Sequence, residues 1–333
     1  MREQLQIYCD RLYDNYITLE KAYTFELTLT RSFVSLEYAC SGRHLDIPRL
    51  KTIERMINQL TSWFSPYRGN YRLLFGTLLD VHYPEPDYAF KKLLEHHKIL
   101  KSCGFKETMY FPVTNYALLA CLPLDAPEEQ VRALALKAKS VYEEMRRNHP
   151  WLTSSDDYPL AMLIAAQDGS IHKVEEIYTE LNRRGFTKSN GLQLLSHILS
   201  FSPDTVLELV ERCEMIAERM KQAKLTIYPQ YYAGLGVITI LQSANNTLLE
   251  DWIDVSMALT TMKRLKWLGK GSNVILASSI VASELIQTMK DTKQTSRLLQ
   301  TAMTIHIEAL IAAQTAATIA TITASTAAAS SSN

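Results

Sequence analysis

Apolar residues at Val131, Leu134, Ala135, Ala138, Val141, Tyr142 and Met145 are separated by steps of three and four, with Arg132, Lys137, Lys139, Glu143 and Glu144 between them. A stripe on that period is one face of an amphipathic helix, apolar toward a core and charged toward water. The stripe returns over Ile171 to Leu181, Val206 to Met220 and Leu248 to Met262. Ahead of each charged stripe lies a shorter run almost free of charge: Tyr116 to Leu122, Leu160 to Ala166, Leu192 to Leu199 and Leu235 to Leu241. A helix apolar all round must be covered on most sides, so these runs predict buried inner helices paired with charged outer ones.

Aligning the inner runs places Leu118, Leu163, His197, Val237 and Ser279 in register, at intervals of 45, 34, 40 and 42 residues. Two helices per unit at that period predict an all-α fold, a helical-hairpin array of α-solenoid type. The punctuation agrees. Ser202-Pro203 reads as a cap with Pro in the first turn, Thr247 with Glu250 as a capping box, and Ser170 after Asp168-Gly169 as a further cap. Gly104, Gly185 and Gly269 stand where outer helices should end and suit left-handed C-caps. Upstream, Leu73 to Leu79 and Tyr88 to Leu100 make an earlier unit, while residues 3–40 and 48–64 predict two helices broken at Ser41-Gly42 and Pro48. The division expected is an N-terminal helical cap over 1–69, hairpin repeats over 70–304, and an Ala/Thr-rich C-terminal helix and flexible tail over 305–333. With no Gly/Ser or Pro-rich linker between them, these should form one continuous structural domain.

The segment Val174-Glu175-Glu176-Ile177-Tyr178 through Arg184-Gly185-Phe186 resembles the second helix and exit turn of tetratricopeptide and pentatricopeptide repeats, although the other units depart from that spacing. Over nearly its whole length the chain resembles a family of bacterial proteins catalogued as a domain of unknown function. The likeness is carried by Trp63-Phe64-Ser65-Pro66-Tyr67-Arg68, by Asp157-Tyr158-Pro159-Leu160-Ala161-Met162-Leu163-Ile164-Ala165, and by the Ala/Thr-rich end. It implies a bacterial, cytoplasmic, helical protein and supplies no catalytic residues.

Composition narrows the function classes. Thirty-five Lys and Arg balance 35 Asp and Glu, so no bulk field gathers polyanions, and nucleic acid and membrane are both disfavoured as partners. Five Cys with no CxxC spacing suggest reduced, packed thiols in a reducing cytoplasm. Charges within the first twenty residues leave no signal-peptide core there. The uncharged end from Ala309 is too poor in Leu, Ile and Phe to read as a membrane span.

No reaction motif survives inspection. There is no HExxH, Walker loop, GxGxxG or GxSxG, and neither metal nor cofactor is expected. Glu95, His96, His97 and Cys103 come closest to a ligand cluster, but the adjacent histidines point about 100° apart on a helix. Asp156-Asp157 lacks the second half of a DDxxD motif, since Leu160 occupies that place, and is expected to cap the following helix. Three residues are candidates for interaction: His197, polar where aligned units are apolar, and Tyr67 and Arg68, an aromatic and cationic pair in a turn. The function expected is a non-enzymatic module whose inner helices offer a groove to a protein or peptide. The alternatives are an RNA-binding helical repeat protein and an enzyme with a helical pocket assembled across the fold.

Overall fold

The computed structural model describes residues 1–167 and 170–288. It is all-α among those residues. The helices alternate between an outer set, α1 (Glu3–Ala22), α3 (Ile47–Leu60), α5 (Pro86–Ser102), α7 (Glu128–Asn148), α9 (Ile171–Arg183), α11 (Val206–Gln222) and α13 (Leu248–Thr261), and an inner set. The inner helices are α2 (Thr28–Ser41), α4 (Arg72–His82), α6 (Phe111–Cys121), α8 (Tyr158–Ala166), α10 (Asn190–Ser200), α12 (Tyr232–Leu241) and α14 (Lys270–Thr288).

Local sequence explains where they start and stop. Pro48, Pro86, Pro112 and Pro159 stand in the first turn of α3, α5, α6 and α8, where a missing N–H costs nothing. The cap of α11 falls at Thr205 with Glu208, three residues after the expected Ser202, and makes a full capping box. Thr247 and Ser170 precede α13 and α9 without side-chain cap bonds. Gly104 and Gly185 adopt positive φ, and the following Phe105 and Phe186 amides bond back to Leu100 and Leu181, closing each outer helix as expected. The same closure ends α11 with Lys224 at φ 60°, where Leu225 N–H reaches the Met220 carbonyl. A side chain in that region is strained, so Lys224→Gly should stabilise the protein by about 1 kcal/mol in urea unfolding.

Inner helices are apolar all round because neighbours cover them all round. Every residue from Leu73 to Val81 in α4, from Phe111 to Leu119 in α6 and from Tyr158 to Ala165 in α8 is buried. Each large apolar side chain so placed contributes about 1.5–3 kcal/mol. Buried hydroxyls inside these helices bond the carbonyl one turn back, as Ser32, Thr77, Ser196 and Thr239 do. Gly236 lets α12 lie close on α10, since a Cβ there would stand 2.9 Å from Ile198.

Two expectations change. Residues 3–40 form two helices because the chain turns at Tyr23, with Arg31 hydrogen-bonding the carbonyls of Tyr23 and Thr24; no Gly or Pro marks the turn. The hairpins also run outer then inner: α7 packs mainly on the α8 that follows it, and α13 on α14. Residues 1–69 therefore supply the hairpin α1/α2 and the first half of α3/α4. The expected helix and tail over 305–333 lie outside the described residues.

The seven hairpins close into a ring. Inner helices pack around it in order, with α4 and α6 meeting through Phe75 and Tyr116, ring centroids 6.2 Å apart, and α14 packs back on α2. On the outside, Arg219 in α11 pairs with Glu250 in α13 at 3.0 Å, and α13 packs on α1. The closure is polar. Arg2 places Nη1 and Nη2 on Glu284 of α14 at 2.9 and 2.8 Å while Nε bonds Asp251 of α13, and the N-terminal amine reaches Asp254 at 2.8 Å. Tyr8 donates to Gln287 at 2.5 Å, and Gln287 donates to the Cys40 carbonyl at 2.7 Å. The array is thus a toroid rather than an open superhelix, and its inner helices cover one another instead of lining a groove.

Candidate functional site

The three residues singled out by sequence are brought to three different internal roles. Tyr67 is buried edge-on against Phe75 and Phe90; Asn115 Nδ2 donates to its hydroxyl at 2.6 Å, and His97 Nδ1 lies 3.1 Å away. Arg68 closes the end of α3, donating to the carbonyls of Asn58 and Thr61 and lying over the Trp63 ring. Tyr67→Phe should therefore cost about 1 kcal/mol in thermal or urea unfolding, because it strips partners from buried polar atoms. His197 is fully buried in α10 with Nδ1 unpartnered; burial, and then the proximity of His149, push its pKa down to about 3.

The other chemical candidates are also engaged in structure. Glu95, His96, His97 and Cys103 do not converge: His97 bonds Glu107 at 2.7 Å, while His96 is buried and held down to about 4 by desolvation. Among the described residues no group of three or more His, Cys, Asp or Glu could hold a metal ion. Asp157 sits at the N-cap of α8, but its carboxylate accepts from Ser154 N–H at 2.9 Å, boxing the short 3-10 turn that leads into the helix. Burial, then the nearby Asp156, raise its pKa to about 8. All five Cys are free, and burial lifts the Cys9, Cys40, Cys121 and Cys213 thiols to about 12, far from nucleophilic use at neutral pH.

What the ring does bring together is a face. Because successive helices alternate in direction and every hairpin keeps the same orientation, all seven outer-to-inner connections lie at one end of the toroid and all inner-to-outer connections at the other. Contacts between a connection and the adjoining end of a helix in the neighbouring hairpin trace the first end: Phe105 against Tyr158, Gln193 on Thr153, Phe186 against Tyr232, Lys270 on the Lys224 carbonyl, and Arg264 on Glu20. Phe25, Trp63, Phe64, Trp151, Tyr228 and Trp267 are all exposed there, and among the described aromatic residues only Tyr88 is comparably exposed elsewhere. Trp63, Phe64, Trp151 and Trp267 show 79, 93, 97 and 78% of their surface to solvent.

Charge is divided the same way. Among the described residues the outer-to-inner connections hold eight Lys and Arg against four acids, while the inner-to-outer connections hold one Arg against four acids. The acids of the first face are largely engaged. Asp157 is buried, Glu26 is part-buried and accepts from Leu27 N–H, and Lys101, then His97, hold the Glu107 carboxylate below its usual range. Sequence reasoning missed this face. The signal available was the placing of three of the four Trp in polar turns outside any apolar stripe.

Fold and surface together define a closed all-α ring of helical hairpins with one aromatic, cationic face. The chain belongs to the family described as Protein of unknown function (DUF4003), whose model matches residues 15–316. It is 26% identical over 300 residues to the uncharacterized protein YeaA of Bacillus subtilis strain 168, a match covering 89% of this chain and 87% of that protein. No solved structure matches. No helix among the described residues is long and apolar enough to cross a membrane.

Proposed function

We propose that the protein is a non-enzymatic interaction module whose working surface is the face formed by the outer-to-inner connections. The observation that carries this reading is the gathering of six exposed aromatic side chains at one end of the ring. Large apolar side chains exposed together on one face mark a surface made to be covered. Aromatic residues with Arg are also the composition that dominates binding energy at interfaces. The groups that suggested chemistry in the sequence support the same reading, since His97 and Asp157 spend hydrogen bonds inside the fold.

Photo-crosslinking in living cells tests it by position. A benzophenone side chain placed at Trp151 or Trp267 should give adducts, whereas the same group at Leu136 or Met215, exposed on α7 and α11 of the outer wall, should give few. Adducts confined to the wall positions, or absent throughout, would overturn the reading.

A further inference from the structure

We propose that the aromatic and cationic face docks on the surface of an anionic lipid bilayer. The inference rests on the reading of this face as the working surface. Seven hairpins at the usual helix spacing of 8–10 Å give a face roughly 40 Å across. Its exposed rings stand in five of the seven connections instead of clustering at a centre. A protein hot spot concentrates its anchors in one desolvated patch with a rim around it. Single-stranded nucleic acid needs a groove in which aromatic platforms follow one another along a charged track. A planar interface receives all the separated rings at once. Trp and Tyr have their preferred place at that depth, with the ring among acyl chains and the N–H or O–H at the headgroups.

Charge selects the lipid. Lys106, Lys188, Lys224, Lys263 and Lys266 are exposed in connections on the same face and have no acidic partner among the described residues, and Lys266 lies over the Trp267 ring at 5.0 Å. Basic residues flanking interfacial aromatics favour anionic headgroups such as phosphatidylglycerol. The acidic connections face the other way, so the ring has one orientation in which the field is attractive. Zero net charge conceals this division, because the two ends cancel.

Flotation of the full chain with vesicles is the test. The protein should float with vesicles containing phosphatidylglycerol and not with phosphatidylcholine alone. Its Trp emission should shift to the blue on binding, and rising salt should weaken the association. A combined Trp63→Ser, Trp151→Ser, Trp267→Ser variant, which alters only exposed side chains, should lose about tenfold or more in affinity, whereas Leu136→Ser with Met257→Ser should bind as the parent does. No flotation with phosphatidylglycerol, or equal flotation by the triple variant, overturns the lipid assignment. So does tight binding of an oligouridine RNA that the triple variant loses. If crosslinks still form from Trp151 and Trp267 in those cases, the module reading stands with a different occupant; if they do not, both fall.

Discussion

Arg2→Leu is expected to destabilise the protein by about 3 kcal/mol. The Arg2 side chain is 42% exposed, but the carboxylates it joins, Asp251 and Glu284, show only 8 and 6% of their side chains to solvent. Removing the cation leaves two nearly buried negative charges beside each other on the last hairpin, at its seam with the first. Stranding a buried charge typically costs 3–5 kcal/mol, and the partial exposure of Arg2 places this case near the lower end. The cost comes from the unpaired acids, so adding Asp251→Asn and Glu284→Gln to Arg2→Leu should recover most of it. Urea unfolding of the single and triple variants checks both statements. A single variant within about 0.5 kcal/mol of the parent would show that the seam does not depend on this residue.

His197→Leu should change how stability responds to acid. The imidazole titrates near 3 in the folded protein, because burial and then His149 disfavour its charged form, and near 6.5 in an unfolded chain. Its folded pKa is depressed, so above about pH 6.5 it is neutral in both states; as the pH falls from there toward 3, only the unfolded state gains the proton. At pH 5 the loss amounts to about 2 kcal/mol. Leucine fits the position, since Leu118 and Leu163 occupy it in aligned units, and it removes an unpartnered Nδ1. Unfolding free energies at pH 8 and pH 5 should therefore fall by about 2 kcal/mol less in the variant than in the parent. His96, pushed down to about 4, is common to both and leaves that difference intact. Parallel pH curves would contradict the buried, neutral state of His197.

Helix content and the inner and outer classes are legible in sequence because burial imposes a local period. A stripe such as Ile171, Val174, Ile177 and Leu181 leaves little choice. The glycine stops at 104 and 185 are legible for the same reason, as the left-handed conformation is a demand of one residue. Closure is not. Arg2 meets Glu284 across 282 positions, and nothing near either residue announces the other. The turn at Thr24 to Glu26 also escapes notice, since a side chain from the next helix, Arg31, holds it.

The candidate site divides along the same line. His197 stands out because its neighbours in α10 are apolar, and the structure confirms its burial. Tyr67 and Arg68 attract attention as a turn pair, yet their partners Asn115, His97 and Asn58 come from elsewhere in the chain and turn both side chains inward. The aromatic face is invisible until the shared orientation of the hairpins places Phe25, Trp63, Trp151 and Trp267 at one end of the ring. Charge behaves likewise, for a zero total says nothing about its division between two faces.

The distance between the first and last hairpins tests the ring most directly. Spin labels at Ser41→Cys and Thr288→Cys, with the half-buried Cys121 replaced by alanine, report it by pulsed electron resonance. The hydrogen bond from Gln287 to the Cys40 carbonyl requires a single distance at the short end of the measurable range. An open superhelix of seven hairpins at 8–10 Å spacing would hold the labels roughly 50 Å apart or more, and a distribution centred there would contradict the closed ring.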